Sequence, residues 1–158
     1  MKTVDDSRAR MLTQTHSPSR PYVENYILFL KPGPGTAEVA AGSEEPQFVG
    51  MVGAIRILEN APPELDVNGL PEFGYMIEVG HQRKGFGTEA AKGFLELYWS
   101  LERRKEVQRV VATVRRTNVG SGKVIQSIGG VRVGDVGEDE QDAWVVSRPV
   151  GTNIPNLE

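Results

Sequence analysis

The sequence predicts an α/β (α+β) domain, with β-hairpins at both ends of the chain and crossover helices between them. Three observations carry this. β-prone segments recur up to residue 79, apolar positions then recur at three- and four-residue steps, and short β-prone runs return after residue 107 with one brief helical stretch among them. At 158 residues the chain is long enough for one domain with its own core.

Taken in order, residues 1–24 are polar and rich in Ser, Thr and Arg, with a short helix expected over 5–14 and a Ser/Pro linker at 17–21. The continuous apolar run at 26–30 predicts a buried strand, and 31–47 a long Pro/Gly loop. A second strand is expected over 48–57, pairing with the first as a hairpin. After a Pro/Asn/Gly loop at 59–70 comes a third strand over 73–79. From Thr88, the positions Ala91, Phe94, Leu95, Tyr98 and Leu101 form one apolar face of a helix of about four turns. Residues 107–114 are strongly β-prone, 118–128 form a shorter helix stopped by Gly129 and Gly130, and 131–136 with 143–147 close the fold as a hairpin. The tail at 149–158 has no pattern, and 1–158 reads as a single domain.

Composition removes several functions. Without cysteine there is no disulfide, thiolate chemistry or Cys-ligated zinc, and the two histidines, His16 and His81, lack metal-ligand spacing, so no metal is expected. A net charge of −3 with interspersed signs argues against nucleic-acid binding. No apolar run approaches the roughly 18–20 residues of a membrane span, and residues 1–20 lack a signal-peptide core. A cytoplasmic protein is the expectation, with a nuclear one left open.

The segment most suited to chemistry lies between the third strand and the first long helix, at 79–90. Gly85 and Gly87 permit close approach, and the first amides of the helix have no intrahelical acceptor. With the helix dipole and the charges of Arg83 and Lys84, they form an anion site suited to phosphate or pyrophosphate. Gly85, Gly87 and Ala90 also fit the dinucleotide fingerprint Gly-x-Gly-x-x-Gly/Ala. Against that reading, too few strands follow, and the next strand ends in Arg115 and Arg116 where an acidic ribose ligand belongs, although two arginines suit a 2′-phosphate. NADP binding therefore stays as a minor alternative.

Gln82-Arg-Lys-Gly-Phe-Gly87 resembles the Gln/Arg-x-x-Gly-x-Gly/Ala motif of the GCN5-related N-acetyltransferases (GNAT). The wider stretch from Glu72 to Ala90, with Asn118 and Ser121 on the second helix and Gly129 after it, is similar to the subgroup that acetylates ribosomal-protein N-termini. The resemblance spans residues 72–136. It implies a mixed, mostly antiparallel sheet splayed between the strands ending near Val79 and Val114; this chain departs from the family in that only residues 1–24, which are polar, precede the first strand, so its N-terminal elements read as shortened. It also implies acetyl-coenzyme A as cofactor, an amine as acceptor and an N-acetyltransferase activity by direct attack.

On this resemblance the pyrophosphate would sit on Gln82, Arg83, Lys84, Gly85, Phe86, Gly87 and Thr88, with a backbone amide near Val79 polarising the thioester. Asn118 and Ser121 would contact the cofactor arm, though Asn118 also reads as a helix N-cap. Glu72 and Glu78 share one face of the third strand by alternation and are the candidate bases. Glu89 complements the helix dipole instead. Where many members carry a tyrosine acid, this chain has Ile125, so no acid is assigned. Two readings follow from the departures: an active amine acetyltransferase, or a coenzyme A-binding protein of the same fold with little activity. The short N-terminal segment is compatible with a homodimer. The acceptor itself is not named by any residue pattern.

Overall fold

A computed structural model describes residues 18–30, 47–137 and 140–150. It contains β1 (Glu24–Phe29), β2 (Phe48–Ile57), β3 (Pro71–Ile77), α1 (Phe86–Ser100), β4 (Arg109–Arg115), α2 (Val119–Ser127), β5 (Val131–Val136) and β6 (Gln141–Ser147). The strands form one six-stranded sheet in the order β1-β2-β3-β4-β6-β5. Every neighbouring pair is antiparallel except β3 and β4, which are parallel and joined by α1 as the crossover. The expected fold class and the hairpins at both ends are therefore present. The helix expected over 5–14 and the loop at 31–46 lie outside the described residues.

The β3–β4 seam positions everything that follows. Its ladder holds a single pair, Glu72 with Val111, whereas β2–β3 and β4–β6 each hold seven. The two strands meet near their beginnings and part toward their carboxyl ends, which opens a cleft between two halves of the sheet.

One core cluster lies under the helices. Ala90, Ala91, Phe94, Leu95, Tyr98 and Trp99 line the inner face of α1, and Phe94 makes ring contacts with Phe73, Tyr26 and Tyr98. A second cluster, centred on Val67, Val111 and Ala143, packs beneath residues 58–70.

Several boundaries differ from expectation for local reasons. β3 ends at Ile77 rather than Val79, because the Glu78 carboxylate accepts the Gly80 N–H at 2.7 Å and caps a 3₁₀ turn, Val79–His81. α1 starts two residues early, at Phe86, because Gly85 takes a left-handed conformation (φ +87°) that turns the chain straight into the helix. Leu101 lies past the helix end, and β4 starts at Arg109 because Glu102–Arg104 makes a further 3₁₀ turn.

Candidate functional site

The segment joining β3 to α1 leaves backbone amides without a partner. No side chain caps α1, and its first turn is satisfied only from Glu89, whose N–H donates to the Gly85 carbonyl at 3.1 Å. The amides of Phe86, Gly87 and Thr88 precede that bond and face outward with the positive end of the helix dipole. Arg83 also has a positive φ (+61°), so the backbone curls around the same point. At Gly87 a Cβ would lie 3.1 Å from the Tyr75 ring, so glycine lets the helix start seat directly on β3.

The side chains of this loop turn inward to brace it. Gln82 Nε2 donates to the Ile77 carbonyl at 3.0 Å, and Lys84 Nζ donates to the Gly80 carbonyl at 2.9 Å. Buried His81 meets Phe86 edge-on at 5.8 Å. The Arg83 side chain is exposed. Val79 is 79% exposed in the turn rather than on the strand, so the amide expected near it lies beyond the end of β3.

At the end of β4, Asn118 is the N-cap of α2, its Oδ1 accepting the Ser121 N–H at 3.1 Å. Asn118 and Ser121 line a cavity of about 300 Å³ in the opened seam, together with Tyr75, Thr113, Ile125 and Gln141. Tyr75 bridges the two helix starts, which are 33 residues apart in sequence: its ring lies against Gly87 and its hydroxyl donates to Ser121 at 3.3 Å. Crevices outside the carboxyl ends of strands are where open α/β sheets bind ligands.

A second cavity, of about 570 Å³, adjoins it on the side packed by residues 58–61. Thr113 and Gln141 line both cavities, so groups bound in each would meet there. The two carboxylates expected on one face are not brought together. Glu72, 8% exposed, opens β3; its carboxylate takes a bidentate pair from Arg56 and a hydrogen bond from the Thr113 hydroxyl. Glu78 lies past the strand end, exposed and engaged with Gly80. Sequence reasoning missed Arg56, Thr113 and Tyr75. The cross-strand register of Arg56 with Glu72 signals the first, and period-two alternation with Phe73 places Tyr75 on the helix-facing side.

Among the described residues there is no cluster of metal-ligating groups, and no helix is long and apolar enough to cross a membrane.

Comparison with known proteins agrees with this architecture. The family model of the acetyltransferase (GNAT) domain matches residues 2–131, and the chain belongs to that family. An uncharacterised N-acetyltransferase of Bacillus subtilis (strain 168), YjdG, is 36% identical over 64 residues, covering 40% of this chain and 36% of that protein. The match therefore spans little more than a third of that relative's length. Among solved structures, a Bordetella pertussis protein described as a GnaT-family acetyltransferase superposes with a TM-score of 0.63 at 21% identity, over 94% of this chain and 78% of that one. A domain from Methanocaldococcus jannaschii gives 0.54 at 16% identity, over 93% and 95%. At these identities the structural likenesses establish the fold.

Proposed function

We propose that this protein is an acetyl-CoA-dependent N-acetyltransferase that passes the acetyl group directly to an amine. The observation that carries the reading is the uncapped start of α1, with three outward amides at the mouth of a cleft between parting parallel strands. The fit to a pyrophosphate is physical: backbone donors, a helix dipole and a glycine leave no side chain in the way. The amides from Arg83 to Thr88 hold the anion in this reading, Arg83 adds charge, and Gln82 and Lys84 brace the loop. Asn118 and Ser121 face the arm, and the amide near Val79 stays the proposed carbonyl partner. The cofactor supplies an activated acetyl thioester. The protein supplies placement and a route for the proton.

Glu72 is the better of the two candidate bases. It reaches the junction of the cavities through the Thr113 hydroxyl, which lines both. The amine proton would pass through that hydroxyl to the carboxylate as the Arg56 bond yields. Glu72→Gln is expected to lower kcat about 100-fold with acetyl-CoA affinity within about twofold, since the residue lies away from the anion cradle. Steady-state kinetics with calorimetry on the same variant check this; a weakened affinity with unchanged kcat would remove Glu72 as base. A second reading, cofactor binding with little turnover, draws on the same observation, because both candidate carboxylates already have partners.

The test is calorimetric titration of the purified protein with acetyl-CoA, followed by turnover with spermidine, an alanine-initiated peptide amide and Nα-acetyl-lysine amide. Gly85→Asp is the diagnostic variant. A Cβ there meets nothing within 4 Å, and aspartate tolerates left-handed backbone better than most residues. Its charge would oppose the pyrophosphate, so affinity should fall by about tenfold or more, the order of one charge pair near a protein surface; the left-handed backbone (φ +87°) adds a folding strain of about 1 kcal/mol, so binding is measured well below the melting point. No binding by the folded wild type would refute the reading, and NADP would be titrated next. Binding without turnover on any amine would favour the second reading.

A further inference from the structure

We propose that the Tyr75 hydroxyl is the proton donor to the departing sulfur, oriented by Ser121; this rests on the acetyltransferase reading above. Breaking the thioester leaves an electron pair on sulfur, and a group lining the donor cavity must meet that charge or leave it to water. Ile125, only 1% exposed, presents hydrocarbon to this cavity. Asn118, Ser121, Thr113, Arg115 and Gln141 also line it, but neutral amides and aliphatic hydroxyls are far too weakly acidic, and an arginine does not give up its proton. Tyr75 carries the one phenol among the lining residues, a far stronger acid than an amide or an aliphatic hydroxyl.

Its placement fits the role. Tyr75 extends from β3 toward α2, where its hydroxyl donates to Ser121 Oγ at 3.3 Å, and its ring lies against Gly87 in the first turn of α1. The hydroxyl thus spans the cleft between the amino-terminal ends of both helices, where positive dipole potential favours the phenolate left after donation. Burial holds the phenol above its ordinary value, opposed by the Ser121 bond, so it is protonated at neutral pH. In the transfer, the amine nitrogen bonds to the acetyl carbon as the carbon–sulfur bond breaks. The Tyr75 proton goes to sulfur, and Ser121 rotates to donate to the phenolate. The amine's own proton leaves on the acceptor side, and the phenolate recovers one from solvent. No oxidant or second cofactor is needed.

A ligand-binding measurement tests the placement without relying on turnover. With [ζ-¹³C]tyrosine, the chain shows four ring signals, and Tyr75 is assigned by its loss in Tyr75→Phe. Coenzyme A and desulfo-coenzyme A, which lacks the sulfur, are then titrated separately. The Tyr75 signal should move differently with the two ligands while those of Tyr22, Tyr26 and Tyr98 do not; identical Tyr75 shifts would overturn the proposal. Kinetics supply the second arm, using the fastest amine of the panel above. Tyr75→Phe should keep acetyl-CoA affinity within about twofold and lose about 10- to 100-fold in kcat, the low end for an acid because a thiolate leaves readily. The loss should grow at least tenfold with the oxygen-ester analogue of acetyl-CoA, whose leaving group is more basic, and Ser121→Ala should show the same trend more weakly. Equal losses with both donors would mark Tyr75 as a packing residue and overturn the proposal. Failure of coenzyme A to bind at all would refute the acetyltransferase reading and this inference together, an outcome that calorimetry separates from the others.

Discussion

Replacing Glu24 with alanine is expected to cost about 3–5 kcal/mol of folding free energy, the usual price of leaving one member of a buried ion pair alone. Glu24 is 4% exposed on the edge strand β1. It accepts from Arg103 at 2.6 and 2.9 Å and from Arg104 at 2.9 Å. Arg103 is half exposed and would return to water at little loss. Arg104 cannot: it is buried, donates also to the Pro21 carbonyl, and lies 5.4 Å from the centre of the Tyr98 ring. Without Glu24 its charge would sit in the interior with one neutral acceptor. For a chain of this size the melting midpoint should drop on the order of 10 °C, read by calorimetry at pH 7.

The same carboxylate gives stability an acid-side dependence. Burial pushes the Glu24 pKa up, but the hydrogen bonds and charges of Arg103 and Arg104 outweigh it and hold the group below the ordinary 4.5. A depressed folded value means the contribution is complete above the unfolded pKa and is lost as pH falls through the folded one. Wild type should therefore lose stability on acidification below about pH 4.5, and Glu24→Ala should lose less over that range. An equal slope in both proteins would mean that other carboxylates carry the acid transition.

This staple was not legible in the sequence, and the reason is distance along the chain. Glu24 and Arg104 are separated by 80 positions, and nothing in periodicity or propensity pairs residues across that gap. The same holds for Tyr75 and Ser121, 46 apart. What was legible is local. The inner face of α1 repeats at helical spacing, and Asn118 carries the chemistry of an N-cap, which it is. The glycine loop could be read because both its parts, left-handed backbone and unsatisfied amides, follow from residues adjacent in sequence. β3 shows where local reading fails. Val79 is β-prone and extends the pattern, yet the Glu78 side chain offers the backbone a competing partner and the strand stops at Ile77. The face shared by Glu72 and Glu78 was inferred from a strand longer than the one that forms.

Phe94→Ala should be comparably damaging, by about 3–5 kcal/mol, and its reason ties the core to the site. Phe94 is 3% exposed on α1, with ring centroids 6.1 Å from Phe73, 5.3 Å from Tyr98 and 6.2 Å from Tyr26. These partners come from β3, from α1 itself and from β1, so one ring fixes the helix against two strands of the amino-terminal half. Truncation would leave a cavity walled by aromatic rings, whose flat shapes cannot close over it. Phe94→Leu should lose only about 1–2 kcal/mol, because most of the volume stays. Since α1 carries the cradle amides on its first turn, two turns before Phe94, a helix that rocks on the sheet would also move the donors away from their common focus. In the proposed function, acetyl-CoA binding to Phe94→Ala, measured well below its melting point, should weaken more than binding to Glu24→Ala, although the two lose similar folding energy. Equal affinities in the two variants would show that the helix start is held by its own contacts with Tyr75 and His81, independently of the ring cluster beneath it.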